Sequence, residues 1–198
     1  MKRKFWEELK EWKEKQSETP LMVVGARQIG KTYIIDKFCK ENYKDYIYLN
    51  LMDEEGIVEI FNESIPTENK VKKMELLLGR LITEETIIFF DEIQESEKLI
   101  SALKYFCESK KHYNIICAGS LLGVKLKRFS SSFPVGKVII KYMYPMTFEE
   151  FLDAIGYANI IPEIRKCFDT NTKMRNPIHE KLLDYSRLFI ATGGMPIA

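Results

Sequence analysis

The sequence has 198 residues, enough for one hydrophobic core together with a smaller appended part. Hydrophobic residues make up 45% and charged residues 30%, a globular balance that excludes a disordered chain. The 30 basic and 29 acidic side chains give a formal net charge of +1. The chain as a whole therefore carries no strong field that would draw it to nucleic acid or anionic lipid.

The cysteines and the apolar segments indicate the compartment. The four cysteines lie far apart and form no CxxC pair, so we predict reduced thiols without a zinc or redox role. Charged residues interrupt every apolar stretch near the N-terminus, so we expect no signal peptide. No later segment has the length and hydrophobicity of a transmembrane span. We therefore predict a cytoplasmic protein with no membrane partner.

Helix and strand patterns alternate along the chain. Phe5, Leu9 and Trp12 recur at helical spacing and predict an amphipathic N-terminal helix with a structural role. Pro20 ends this helix, and the apolar run 21–24 predicts a buried strand that leads into a helix from about residue 33. Further strands are predicted at 46–51, 86–90, 113–118 and 137–142, and further helices at 70–82 and 99–106. This alternation predicts an α/β fold with a three-layer parallel sheet.

The sequence pattern changes at Pro145. Residues 130–134 (SSSFP) predict an exposed connection within the α/β part. Beyond Pro145, Phe148, Phe151 and Leu152 predict a helix, and we expect mainly helix as far as residue 198. The sequence therefore predicts a core over residues 1–144, which includes the N-terminal helix, and a mainly helical part over residues 145–198.

Residues 25–32 (GARQIGKT) match the P-loop pattern GxxxxGK[ST] at every fixed position, between a predicted strand and a predicted helix. The glycines let the backbone curl so that its N–H groups point inward, and the following helix adds its positive N-terminal end. Lys31 supplies a mobile cation to the β and γ phosphates, and the Thr32 hydroxyl is placed to coordinate Mg²⁺. The residues predicted to bind the polyphosphate are Gly25, Ala26, Arg27, Gln28, Ile29, Gly30, Lys31 and Thr32.

The apolar strand at 87–90 ends in two acids, Asp91 and Glu92. Alone, this pattern fits a buried strand that meets solvent equally well. Because the carboxyl ends of parallel strands share one edge, we expect both acids in the same crevice as Lys31 and Thr32. We predict that Thr32 and Asp91 hold Mg²⁺, Asp91 through water. Lys31 and Glu92 are predicted as catalytic residues, with Glu92 orienting or deprotonating the attacking water.

The predicted strand 113–118 is followed by Gly119 and Ser120, which places a hydroxyl at the same edge of the sheet. We predict that Ser120 is a third catalytic residue, one that senses the γ-phosphate. An ordinary N-cap of a helix from residue 121 onward is a nearly equal alternative.

These motifs together resemble a known family. GARQIGKT, FFDEIQ, CAGSLLG, YPMTFEEFL and ATGGMP are similar to motifs of the prokaryotic AAA-type ATPases of the AAA_14 group, which often carry a DUF4143 region. The resemblance spans nearly the whole chain. It implies an AAA-like P-loop core that binds and hydrolyses ATP with Mg²⁺, and it maps onto Gly25, Lys31, Thr32, Asp91 and Glu92. The preference for ATP over GTP rests on this resemblance alone.

The chain departs from the family in two ways. Gly136 and Lys137 stand where the family has Gly-Arg, so the source of an arginine for the reaction stays open, with Arg27 and Arg128 as candidates. Family members also continue well beyond this length. We therefore expect the N-terminal ATPase portion of a longer protein, whose helical part begins a lid.

Two functions remain open. The favoured one is ATP hydrolysis coupled to movement of a lid or partner, where the partner is another protein or a second copy of the chain. The alternative is a nucleotide-gated module that binds DNA or protein with little hydrolysis. The sequence feature that favours this alternative is a set of basic and aromatic residues: Lys125, Lys127, Arg128, Phe129 and Phe133. A solvated loop with core aromatics is the simpler interpretation of the same residues.

Overall fold

The computed structural model describes residues 3–16, 18–120, 134 and 136–196. Its five strands are β1 (Leu21–Val24), β2 (Asp45–Asn50), β3 (Thr86–Asp91), β4 (Asn114–Gly119) and β5 (Ile139–Tyr142). They form one sheet in the order β2-β3-β4-β1-β5, and every neighbouring pair is parallel. The predicted parallel α/β fold is therefore confirmed.

Helices occupy much of the remaining chain. Eight α-helices lie within the described residues: α1 (Phe5–Gln16), α2 (Lys31–Asn42), α3 (Glu55–Asn62), α4 (Thr67–Leu78), α5 (Glu97–Cys107), α6 (Phe148–Ala154), α7 (Ile161–Asp169) and α8 (Asn176–Thr192). In this part of the chain, no helix is long and apolar enough to cross a membrane. The described elements after β5 are helical, as expected, while the division into a core and a lid stays a prediction.

The sheet is covered by helices on both faces, which gives three layers. Successive strand residues alternate between the two faces: Met22 and Val24 pack with α3, α4 and α5, whereas Leu21 and Val23 pack with α1 and α2. Every residue of β1, β3 and β4 is buried. Burial on both faces explains why these strands are continuous apolar runs without alternation in the sequence.

Several boundaries differ from the predictions. Helix α3 was missed because Gly56 and the acids around it obscure a helical stripe of Ile57, Ile60 and Phe61, all of which are buried. Helix α4 ends at Leu78 because Gly79 adopts the left-handed conformation (φ 64°) and caps it, so the predicted extension to residue 82 was wrong. In the predicted exposed connection, Pro134 is buried, and residues 130–133 lie outside the described range.

A buried ion pair joins the start of the described chain to α6. Arg3 Nε lies 3.5 Å from Glu150 Oε1, and the two side chains are only 5% and 7% exposed. Arg3 also donates from Nη2 to the carbonyl oxygen of Tyr144 (2.7 Å). The Glu150 carboxylate accepts the backbone N–H of Lys4 (2.7 Å) and that of Thr147 (2.8 Å) in the capping box of α6. This pair therefore ties the N-terminal segment to the helical part.

The ATGGMP segment returns to the same region. Gly193 and Gly194 both have positive φ (62° and 67°) and end α8. The Met146 N–H donates to the Gly194 carbonyl oxygen at 2.8 Å. A Cβ on Gly194 would stand 2.6 Å from the Met146 carbonyl oxygen, so the close approach of the two backbones requires glycine here.

Candidate functional site

Residues 25–30 form a tight loop between β1 and α2, and Lys31 and Thr32 are the first two residues of α2. At Gly25, a Cβ would lie 2.3 Å from the Met143 carbonyl oxygen, so no larger residue fits without a backbone shift. Gly30 (φ 85°) is left-handed and is the N-cap of α2, and Gln28 (φ 65°) is also left-handed. Ile29, fully buried, anchors the loop among α1 and α2 side chains. Such a loop directs backbone N–H groups and the N-terminus of α2 towards an anion.

The ammonium group of Lys31 is held inside this loop. Its Nζ donates to the carbonyl oxygens of Gly25 (3.0 Å) and Ala26 (2.7 Å), both of which are neutral. Burial lowers the pKa of Lys31, and the charges of Glu92 and Asp91 partly oppose this effect. A phosphate oxygen would supply the negative partner that the carbonyl groups lack.

Thr32 and Asp91, the two predicted metal ligands, are in direct contact. Thr32 Oγ1 donates to Asp91 Oδ2 at 2.7 Å, although 59 residues separate them. The Tyr48 hydroxyl donates to the same oxygen at 3.2 Å, a contact that the motif pattern did not indicate. Burial, followed by the Asp91 charge, raises the pKa of Tyr48 to about 12. Tyr46 and Tyr48 alternate with Ile47 and Leu49 along β2, and this period-2 pattern is the one sequence signal for Tyr48.

Glu92 follows β3 in a left-handed conformation (φ 51°, ψ 45°). Its backbone N–H donates to Asp91 Oδ1 at 3.0 Å, and its carboxylate accepts a short hydrogen bond from Gln94 Nε2. Left-handed non-glycine residues cluster at functional sites, where surrounding contacts hold them. Gln94 was not predicted as a site residue, although it is the last letter of the FFDEIQ motif.

Ser120 lies at the end of β4 and is almost fully buried. Arg27 Nε donates to its hydroxyl oxygen at 3.4 Å. Because β4 lies between β1 and β3 in the sheet, its end lies between the ends of those two strands. Ser120 thus lies at the predicted edge, and its proposed role as a helix cap concerns residues from 121 onward, outside the described range.

A pocket of about 600 Å³ opens over the loop. This volume is within the range of small-molecule sites, roughly 300–1,000 Å³. Glu92 contributes one wall and Pro196, from the ATGGMP segment, another. Residues 27–32 line the pocket. Asp91 lies behind this lining and contacts it through Thr32. Arg3, which also lines the pocket, donates from Nη1 to the Ile29 carbonyl oxygen at 3.2 Å and so supports the loop from beneath.

The oxygen ligands fit magnesium better than a softer metal. Thr32 offers a hydroxyl and Asp91 a carboxylate, the hard donors that Mg²⁺ accepts together with substrate phosphates and water. Among the described residues, no three His, Cys, Asp or Glu side chains gather to hold a metal by themselves. The basic and aromatic residues at 125–133 lie outside the described range, so DNA binding through them stays a prediction.

Comparisons with known proteins identify the family and agree with the fold. A family model described as an AAA domain, AAA_14, matches residues 17–152, which is more than half of the chain. No curated protein sequence matches the chain. The match does not extend to a DUF4143 region, which stays an expectation from the motifs.

Three solved structures are similar in fold. The Walker-type ATPase PABY2304 of Pyrococcus abyssi has a TM-score of 0.51 and 19% identity, over 90% of this chain and 61% of its own. The ORC2 protein of Aeropyrum pernix, in ADPNP–ADP complexes, has a TM-score of 0.50 and 14% identity, over 71% of this chain and 45% of its own. Drosophila ORC bound to DNA has a TM-score of 0.53 and 17% identity, over 82% of this chain and 47% of its own.

The chain therefore spans about half to three fifths of each of these proteins, and at such identities the likeness concerns the fold. The family match covers the loop at 25–32 and both acids at the end of β3. The chain belongs to the AAA_14 family of AAA domains and has the fold of a P-loop ATPase.

Proposed function

We propose that this protein binds ATP with Mg²⁺ at residues 25–32 and hydrolyses it. The observation that carries the proposal is the 2.7 Å contact between Thr32 Oγ1 and Asp91 Oδ2. It joins the loop hydroxyl to an acid from a different strand, and both groups are ligands that a phosphate-bound magnesium ion uses. A phosphate loop without this acid would support binding of a polyphosphate and no more.

The polyphosphate would be held by the backbone of the loop and by Lys31. Lys31 is already inside the loop and needs only to exchange carbonyl oxygens for phosphate oxygens. Thr32 and Asp91 would hold the metal, with Tyr48 fixing the orientation of the Asp91 carboxylate through its hydroxyl. When bound, Mg²⁺ supplies charge neutralisation at the β and γ phosphates.

Glu92 is the group proposed to act on water. It lines the same pocket as Lys31 and Thr32, and Gln94 holds one of its carboxylate oxygens. In the reaction, the water oxygen bonds to the γ-phosphorus while the bond from phosphorus to the ADP oxygen breaks. Glu92 accepts the proton that the water releases. Ser120, at the end of the neighbouring strand, contacts the γ-phosphate side of the crevice in this proposal.

The helical part supplies a route from the nucleotide to movement. Pro196 lines the pocket, and Gly194 is hydrogen-bonded to Met146 just before α6. A change in nucleotide state at the pocket would therefore reach Pro196 directly and the start of the helical segment through the hydrogen bond between Gly194 and Met146. We propose that residues 145–196 act as a lid, or part of one, and that a protein partner or a second copy responds to its position.

Phosphate release by the wild type and by Glu92→Gln tests the proposal, with ATP affinity measured in parallel. We expect both proteins to bind ATP similarly and the variant to turn over about 10²- to 10⁴-fold more slowly, the usual loss when a general base is removed. Equal background rates with tight ATP binding would exclude hydrolysis. That result would favour the alternative, a nucleotide-gated module that binds DNA or another protein.

A further inference from the structure

The reaction proposed above requires positive charge beside the γ-phosphoryl group as it transfers. Lys137, which stands where the family resemblance leads us to expect arginine, cannot supply it from its observed position. It precedes β5 at the amino edge of the sheet, next to the backbone contact from Ile139 to Pro20, and pairs with Glu108 at 3.1 Å. The candidate site is at the opposite, carboxyl edge, beyond Val24 and Asp91.

Arg27 lies at the correct edge. It is the third residue of the loop that follows β1, and its side chain reaches Ser120 at the end of β4. The strand order places β4 between β1 and β3, so this contact crosses from the loop towards the acids. A phosphoryl group between Lys31 and Glu92 would therefore lie near the end of β4, where Arg27 contacts Ser120.

The contact engages one of the three guanidinium nitrogens of Arg27. Ser120 engages Nε, and among the described residues Arg27 makes no other hydrogen bond or ion pair. The terminal Nη pair is the part of arginine that contacts phosphate oxygens two at a time. Arg27 is exposed and lines the same pocket as Lys31 and Glu92, so its long side chain can follow a phosphoryl group without rearrangement of the core.

We propose that Arg27 is a further catalytic residue, which supplies in cis the guanidinium charge that stabilises the transferring γ-phosphoryl group. Ser120 is then a positioning residue that holds Nε. The inference rests on the proposed ATP hydrolysis. The role of Arg27 is electrostatic, and the guanidinium group exchanges no proton in the reaction. The proton released by water goes to Glu92, and the electron pair of the broken bond stays on the ADP oxygen.

Binding of a transition-state mimic tests this role separately from turnover. Affinity for Mg²⁺–ADP is measured with and without aluminium fluoride, which stands in for the transferring phosphoryl group. For Arg27→Gln, we expect ADP affinity within about threefold of the wild type, because ADP has no γ-phosphate. The affinity gained on adding fluoride should fall by about 10²- to 10³-fold, the usual cost of one lost transition-state donor. Arg27→Lys should recover part of the gain.

Matched variants separate this role from a general loss of charge. Lys40→Gln removes one positive charge from the exposed side of α2, where Lys40 pairs with Asp36. Aluminium fluoride should raise the Mg²⁺–ADP affinity of this variant as much as that of the wild type. Ser120→Ala should reduce the fluoride-dependent increase in Mg²⁺–ADP affinity less than Arg27→Gln does. Melting temperatures should stay close to that of the wild type for Arg27→Gln, because the side chain is exposed.

Mixing two inactive proteins decides between cis and trans action. Arg27→Gln keeps Glu92, and Glu92→Gln keeps Arg27, so a mixture regains turnover only if one copy donates its arginine to the other. We expect no recovery, and recovery would overturn the cis assignment. If aluminium fluoride raises the Mg²⁺–ADP affinity of Arg27→Gln as much as that of the wild type, the catalytic role of Arg27 is overturned and the proposal of ATP hydrolysis is unaffected. A wild type that neither turns over ATP nor gains affinity with fluoride would overturn both proposals.

Discussion

Glu150→Gln should be among the most destabilising single-atom changes in this protein. The substitution removes the charge that faces Arg3 at 3.5 Å, where both side chains are nearly inaccessible to water. Removing one partner of a buried ion pair costs about 3–5 kcal/mol, because the other charge stays buried. Burial already lowers the pKa of Arg3, while the Glu150 charge opposes that effect. The loss is a large share of a total stability of roughly 5–15 kcal/mol.

Urea unfolding followed by tryptophan fluorescence measures this cost. Trp6 and Trp12, the two tryptophans of the sequence, both lie on α1, which begins two residues after Arg3. With an m-value of roughly 2–3 kcal/mol per molar urea, a loss of about 4 kcal/mol lowers the midpoint by about 1.5 M. The m-value itself should change little if the variant keeps the same core.

The neighbouring glutamate provides a matched control. Glu149 contacts Lys4 (3.1 Å) and Arg165 (2.7 Å), but its side chain is 31% exposed and that of Lys4 65%. Ion pairs of this kind contribute at most about 1 kcal/mol. Glu149→Gln should therefore move the midpoint by less than about 0.5 M. Equal shifts for Glu149→Gln and Glu150→Gln would refute the reasoning that burial decides the cost.

Three further outcomes test the site. Gly25→Ala should lower the melting temperature and the ATP affinity, because its Cβ would stand 2.3 Å from the Met143 carbonyl oxygen. The control Gly56→Ala, inside α3, should change the unfolding free energy by less than about 1 kcal/mol. Equal melting temperatures for the two variants would contradict this expectation. Lys31→Met should weaken ATP binding by about 10- to 100-fold in calorimetry, as loss of a charged hydrogen bond does, and unchanged affinity would place the phosphates elsewhere. The raised pKa of Tyr48, about 12 against an ordinary 10.0, stabilises the folded state fully below pH 10, and this stabilisation is lost as pH rises to 12. The unfolding free energy of Tyr48→Phe should thus fall less steeply over that interval, and identical slopes in denaturant titrations would exclude the effect.

The sequence sufficed for those parts of the site that depend on neighbours along the chain. The loop at 25–32 has a fixed spacing between its glycines, lysine and threonine, and that spacing is set by one turn and one helix start. Asp91 and Glu92 lie at the same edge of the sheet as Thr32 because a parallel sheet aligns the ends of its strands, and their roles stay predictions. Both inferences needed only local patterns and one rule of topology.

The groups that orient the site depend on distant contacts. The Tyr48 hydroxyl meets Asp91 across 43 residues, and Arg3 meets the Tyr144 carbonyl across 141. A periodic sequence pattern cannot predict such contacts. They depend on the order of the strands in the sheet and on which distant segments pack together. Gln94 is close in sequence to Glu92, but its role depends on a left-handed turn that the letters alone do not indicate.

Ile29 links the chemistry of the loop to the folding of α1. Its side chain is fully buried in the cluster that contains Phe5, Leu9 and Trp12, so the loop cannot open without exposing part of that cluster. Segments that share a buried cluster tend to open together as one cooperative unit. Amide protons of the loop and of α1 should then exchange at correlated rates, and a nucleotide bound at the loop should slow exchange along the whole N-terminal helix.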